Sequence, residues 1–289
     1  MRIAKRLCAA WLSGWLSNLD NSTTYTHINN NGSRRATGGN ITQTQTKERK
    51  KIMRTFKVMA LTLVGVLSAS VANAQDEVEV SVGADVVTNY LWRGQKLGEG
   101  SVQPTLGISY NGLSVGAWGS YGITNPDDTK EFDLTVAYTT GGFNIGITDY
   151  FFTNQYDGVK YFKYDAHETA HVFEFNVGYD FGPLSVQWFT NFAGADGYNK
   201  DGERAYSSYV ELAAPFKLGG LDWSASLGVV PFATSFYSDA DGFAVTNLSV
   251  KTTKDIKVTD SFSIPVFGQI TANPSNGKAY FALGFTLQP

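Results

Sequence analysis

The residues whose types and spacing first suggest chemistry are His167-Glu168-Thr169-Ala170-His171, which match the His-Glu-x-x-His pattern of zinc proteases letter for letter. On a helix that spacing puts both imidazoles on one face, with the glutamate beside a metal-bound water. Here the pattern closes a polar loop and runs into Val172-Phe173-Glu174-Phe175-Asn176-Val177, which alternates as a strand does. Residues four apart on a strand share a face but stand about 13 Å apart, too far to hold one zinc. The match therefore reads as coincidence, and neither a metal nor any other cofactor is expected. A hydrolase would need a nucleophile held against a histidine. His171 has apolar parity near its segment end, with Asp165, Glu168, Ser207 and Ser208 as candidate neighbours. Nothing in the sequence places any of them against it, so no catalytic residue is assigned.

A second set is acidic. Asp85, Glu131, Asp133, Glu174 and Glu211 share the polar parity of their segments, as do Glu79 and Asp222 near segment ends. No basic residue of matching parity is expected inside the segments, and Arg93, at the outer end of the first, is the nearest cation. Asp85, Arg93, Glu131, Asp133, Glu174 and Glu211 are the candidate pore-lining residues. An acidic lining concentrates cations and repels anions in a narrow pore. Alternatively, these carboxylates bond within a filled lumen or at its rim.

The elements that must position these residues are strands. In Leu113–Ile123 one parity carries Leu113, Val115, Ala117, Tyr121 and Ile123, the other Ser114, Gly116, Trp118, Ser120 and Gly122. Such period-two segments recur at roughly 78–91, 102–110, 113–123, 131–139, 143–152, 170–181, 184–192, 205–214, 221–231, 243–252, 262–271 and 279–287. Asn111-Gly112, Thr140-Gly141-Gly142, Gly182-Pro183 and Lys217-Leu218-Gly219-Gly220 are tight turns, and Thr253–Ser261 is a looser one. Longer polar loops fall between them: Arg93–Ser101, Thr124–Lys130, Thr153–Thr169, Ala193–Arg204, Phe232–Gly242 and Ala272–Lys278. Short turns alternating with long loops over an even strand count predict an all-β, twelve-stranded antiparallel transmembrane barrel with periplasmic turns and extracellular loops. Tyr90, Trp92, Tyr110, Tyr121, Tyr138, Phe151 and Tyr179 fall near segment ends, where aromatic girdles sit. A soluble sandwich or lipocalin-like barrel would alternate too, with its apolar face inward. The small polar residues of the opposite face, the aromatic segment ends and the alternating loop lengths favour the membrane.

Residues 53–74 have the order of a secretory signal: basic Met53-Arg-Thr-Phe-Lys57, apolar Val58 to Val66, then Val71-Ala72-Asn73-Ala74 before Gln75. Residues 1–52 read as a mis-assigned upstream extension without sustained periodicity, the alternative being a disordered basic arm. The mature chain would be 75–289. It carries 12 basic and 24 acidic residues, a formal charge of −12, which argues against nucleic-acid binding. Cys8 lies outside it, so disulfides and thiol chemistry are not expected.

Val86-Val87-Thr88-Asn89-Tyr90-Leu91-Trp92-Arg93-Gly94 resembles the opening strand of the TorF-like porins, which closes on an aromatic-x-x-Arg-Gly pattern. Gln103-Pro104, Gly116-Ala117-Trp118-Gly119-Ser120 and Glu131-Phe132-Asp133-Leu134 continue the likeness over about the first 65 mature residues. The resemblance implies an outer-membrane channel. The C-terminal Phe285-Thr286-Leu287-Gln288-Pro289 departs from the terminal aromatic of many such barrels, so the insertion machinery must tolerate extra residues. The expected function is passive diffusion of small hydrophilic solutes, with a cation preference, in an outer membrane whose lipid and lipopolysaccharide surround the barrel. A non-conducting barrel that binds a ligand or surface partner through its loops is the second reading, and an outer-membrane hydrolase the third.

Overall fold

Alternating apolar side chains need a sheet with two different surroundings, and the computed structural model supplies one. It describes residues 78–288 apart from 126, 154–157, 166–167 and 261. The expectations for 1–52, for 53–74 and for His167 lie outside the described residues. Gln75–Gln288 is one compact unit.

The strands are β1 (Glu79–Val87), β2 (Tyr90–Trp92), β3 (Gln95–Gly98), β4 (Ser101–Tyr110), β5 (Leu113–Gly122), β6 (Glu131–Thr140) and β7 (Phe143–Phe152). They continue with β8 (His171–Asp180), β9 (Ser185–Gly194), β10 (Ser208–Leu218), β11 (Leu221–Val230), β12 (Ala244–Thr259), β13 (Phe262–Asn273) and β14 (Lys278–Leu287). Twelve of them, β1 and β4 to β14, pair antiparallel in sequence order and close when β1 pairs with both β4 and β14. Closure leaves no sheet edge, the condition a lipid environment imposes.

The alternation resolves into an outer and an inner face. Val82, Leu106, Val115, Leu134, Val136, Ile147 and Leu283 are exposed on the outside of the barrel. The inner face carries Asp133, Glu174, Asn191, Asn247 and Thr271, all buried. The lumen is packed at the rim of the long loops and open at the rim of the tight turns. Tyr209, Tyr237, Val172 and Val230 are fully buried near the loop rim. Towards the turn rim, Ser81, Asp180 and Asp222 are exposed.

Three departures from the predicted elements have physical causes. The first predicted segment, 78–91, breaks at Val87. Thr88 and Asn89 bond instead to β14, through Thr88 N to Leu283 O (2.8 Å) and Asn89 Nδ2 to Phe281 O (2.7 Å). Tyr90–Gly98 then forms a separate two-stranded hairpin that turns into the barrel. Tyr90 and Trp92 consequently belong to the interior packing and not to an aromatic girdle, whereas Tyr110, Tyr121, Tyr138 and Tyr179 are exposed near strand ends. Second, Phe151 is buried at 6% exposure beneath a loop on the outer wall. Third, the predicted turn Thr253–Ser261 is mostly strand, because β12 runs to Thr259 and pairs with β13 as far as Phe262.

Candidate functional site

The hairpin is a plug, and its construction begins with two adjacent residues. Trp92 pairs with Gln95, so Arg93 and Gly94 are the whole turn, at φ of 47° and 80°. Two positive φ values make the primed turn whose twist fits a tight hairpin. Gly94 cannot be replaced freely, because a Cβ there would collide with the Thr246 carbonyl oxygen of β12. The plug tip therefore presses directly on the barrel wall.

Arg93 extends from this tip into the middle of the packed lumen. Its guanidinium makes a two-pronged ion pair with Glu174 of β8: Nη2 donates to Oε1 at 2.9 Å, and Nη1 contacts Oε2. Nη1 also donates to the Tyr237 hydroxyl at 2.5 Å. Tyr237 donates in turn to Glu174 Oε2 (3.0 Å), and Tyr150 donates to Oε1 (2.9 Å). Each carboxylate oxygen thus accepts two hydrogen bonds. The rings of Trp92 and Phe189 lie 4.5 and 3.9 Å from the guanidinium carbon, which adds cation–π attraction in a desolvated place. Burial opposes the Arg93 charge, but Glu174 beside it more than compensates and holds its pKa above the ordinary guanidinium value.

Other bonds tie the plug to its surroundings. Asn273 Nδ2 donates to Gly94 O (3.0 Å) and to Ser238 Oγ (2.7 Å), and Ser238 N donates to Gln95 Oε1 (3.2 Å). Tyr90 donates to Glu131 Oε2 at 2.9 Å and lies against Trp118. The loop between β11 and β12 supplies Tyr237 and Ser238, so two segments that sequence treats as separate loops meet inside the lumen.

Of the six predicted lining residues, the structure brings Arg93 and Glu174 into direct contact. Glu131 and Asp133 are buried beneath Tyr90, where they do not face open water. Glu211 accepts from Tyr209 (2.8 Å), and Asp85 accepts from Thr286 (2.6 Å). The expectation that no basic residue shares the polar face is overturned by Lys251. A register shift between Gly228 and Val229 reverses the side-chain parity of β12, so that Lys251 pairs with Ser224 and Gln269 on the inner face. Its ammonium sits 4.0 Å from the Phe267 ring centre.

Below the plug tip lies a cavity of about 380 Å³, reaching from Leu91–Gly94 past Phe189, Tyr209 and Glu211 to Ser224, Lys251 and Gln269. Small side chains leave that room. Ala213, Ser224, Ser226 and Ser249 line it where larger residues would fill it.

The histidine match resolves differently. His171 opens β8 with its ring on the outer wall, wholly buried. Nδ1 lies 2.7 Å from Asp149 Oδ1 of β7, and Nε2 lies 2.6 Å from Tyr161 O. Both partners are acceptors, so both ring nitrogens are engaged and neither is left for a metal or a nucleophile. Tyr161, Tyr164, Phe151 and Phe173 surround the ring, with Tyr164 stacked at 4.4 Å. The segment 158–165 is thus an external strap folded down over β6 to β8. Burial, aided by Tyr164 and Asp149, pushes the Tyr161 phenol up to about 12. Glu168 pairs with Lys163 at 3.0 Å, Ser207 with Thr234, and Ser208 with Thr190 and Tyr206. None of these bonds leads to His171. Among the described residues no group of histidine, cysteine and acidic side chains could hold a metal ion.

Fold and site together define a twelve-stranded β-barrel whose loop-side lumen is filled by its own first hairpin. Residues 71–265 match the family model Gcw_chp, described as a bacterial protein of unknown function, and the chain belongs to that family. The family match does not carry the TorF-like label that the opening strand resembles. No curated protein matches the chain. Among solved structures, the chain is similar to Salmonella typhi OmpF in complex with daunomycin at 11% identity and a TM-score of 0.34, over 74% of this chain and 98% of that one. It is similar also to the COG4313 outer membrane channel from Pseudomonas putida F1 at 14% identity and a TM-score of 0.34, over 73% and 96%.

Proposed function

We propose that this protein is an outer-membrane channel for small hydrophilic solutes, held narrow by the inward-folded hairpin. The observation that carries this reading is a sheet closed on itself with apolar side chains exposed outside and polar ones inside. Water would drive those outer residues together, whereas hydrocarbon solvates them and leaves the enclosed polar face to water. A barrel of this strand number leaves little free lumen, so one hairpin is enough to obstruct it.

The electrostatics favour weak selectivity. Arg93 neutralises Glu174, and the hairpin covers Glu131 and Asp133. Glu211 lines the cavity against one ammonium, Lys251, and Asp85 on the inner face of β1 adds a second carboxylate, leaving a net charge of −1 for the three. A slight cation preference follows.

Planar-bilayer recording tests the reading. Wild-type protein should give small discrete steps. Deleting residues 90–98 and bridging Asn89 to Glu99 with glycines should enlarge them several-fold. A barrel that conducts in neither form, while still migrating as a folded species when unboiled, is not a channel. In an open variant, Lys251→Gln should raise cation selectivity and Glu211→Gln should lower it. Reversal potentials unmoved by either substitution would place selectivity elsewhere.

A further inference from the structure

We infer that the cavity under the plug is a binding site for an uncharged, hydroxyl-rich solute entering from the turn rim, and that the bound solute touches the plug tip itself. The inference rests on the channel reading for its physiological meaning, but binding can be measured without conduction.

Three observations on the cavity point to this class of ligand. The first is the state of its charges. Arg93 is ion-paired with Glu174 and bonded to Tyr237, and Glu211 accepts from Tyr209 and, at 3.4 Å, from Asn247. Lys251 lies over Phe267. Beyond the Arg93–Glu174 pair the lining carries one carboxylate, Glu211, and one ammonium, Lys251, so its charges cancel and an ion of either sign meets no net opposite charge to offset its lost hydration.

The second is the remaining surface. Register places Ser224, Lys251 and Gln269 in one row across β11, β12 and β13, and Ser226, Ser249 and Thr271 in the next. Ser226 and Ser249 are hydrogen-bonded to each other at 2.6 Å, and Asn247 Nδ2 reaches Ser226 at 3.4 Å. Hydroxyls and amides both donate and accept, as the hydroxyls of a polyol or saccharide do.

The third is the opposite wall. Leu91 and the half-buried rings of Trp92 and Phe189 supply apolar surface, which suits the C–H face of a saccharide. A few convergent polar groups against an aromatic wall, in a cavity of this size, is the usual make-up of a small-molecule site.

The position adds a consequence. Leu91, Trp92, Arg93 and Gly94 form part of the same lining, so a solute that fits only with the tip displaced favours the displaced state by its differential affinity. The loop side of the lumen is packed, which leaves the turn rim as the approach.

The test is a titration of the folded, detergent-solubilised protein with sucrose and raffinose, followed by tryptophan fluorescence, with lysine and glutamate as charged probes. A Trp92→Phe variant identifies the reporting ring. Saturable change with the saccharides, absent in Trp92→Phe and weakened at least tenfold in Ser224→Val/Gln269→Leu, is the expected result. Unboiled gel migration shows that each variant is folded. No saturable change with either saccharide overturns the site. Equal or stronger saturation by lysine or glutamate overturns the solute class. A protein that binds saccharide but never conducts would retain the site and lose the channel, so the two failures are distinguishable.

Discussion

Replacing Glu174 with glutamine should open the barrel. In the wild type four donor contacts converge on the two oxygens of one buried carboxylate: two from Arg93, one from Tyr150 and one from Tyr237. The glutamine side chain would be nearly isosteric but has a single acceptor oxygen and an amide that donates. Two of the four contacts would then oppose one another, and the Arg93 charge would lose its counter-ion at a side-chain exposure of 7%. Removing one partner of a buried pair costs about 3–5 kcal/mol. At about 1.4 kcal/mol per decade, that moves the equilibrium between seated and displaced plug by roughly a hundred- to several thousandfold. Single-channel recording reads this as the open fraction. The double variant Arg93→Met/Glu174→Leu supplies the control, since replacing both charges with apolar groups of similar volume is often neutral. It should remain mostly closed. An open fraction in Glu174→Gln equal to wild type, with the barrel folded, would refute the view that this ion pair holds the plug. A double variant as open as the single one would assign the effect to lost volume.

Two predictions concern the outer strap and one the barrel interior. His171→Ala removes both the Asp149 and the Tyr161 bonds, so limited proteolysis should cut within 158–165 at least tenfold faster while conductance stays unchanged. Cleavage at the wild-type rate would mean that the aromatic packing alone holds the strap. The strap should also loosen at high pH. The Tyr161 phenol is raised in the folded state to about 12, so a released strap ionises first, from about 10 upward. The strap's grip is therefore complete below about pH 10 and declines as the pH rises towards 12, which proteolysis across that range would show. A flat profile would contradict it. Inside the barrel, a Cβ at Gly228 would collide with the Tyr209 hydroxyl. Gly228→Val should force Tyr209 off Glu211 and destabilise the barrel by about 1–3 kcal/mol, read as a lower denaturant midpoint.

The barrel was legible because the constraint that makes it acts on every strand. Residues such as Leu134 and Val136 lie on the outer face while Asp133 and Thr135 lie on the inner one, and that division repeats with period two. The plug was not legible, because its partners are remote. Arg93 reaches Glu174 and Tyr237, which lie 81 and 144 positions along the chain. The Arg-Gly pair was visible as a motif, whereas the turn it makes depends on the wall it meets. Lys251 was hidden by the bulge opposite Gly228, which reverses parity with no mark in composition. The extended β12 was hidden by Lys254, Asp255 and Lys257, whose charges mask the alternation of Ile256 and Val258. Asp149 has apolar parity, and its place on the outer wall makes sense once His171 and the strap cover it.

The most direct test of the account is cysteine labelling in reconstituted vesicles, in a Cys8→Ser background. Leu134→Cys should resist a water-soluble maleimide and react with a lipid-soluble one, while Ser226→Cys should react with the water-soluble reagent. Ready aqueous labelling at position 134, with position 226 inaccessible to water, would mean that the apolar wall does not face lipid and would contradict the account.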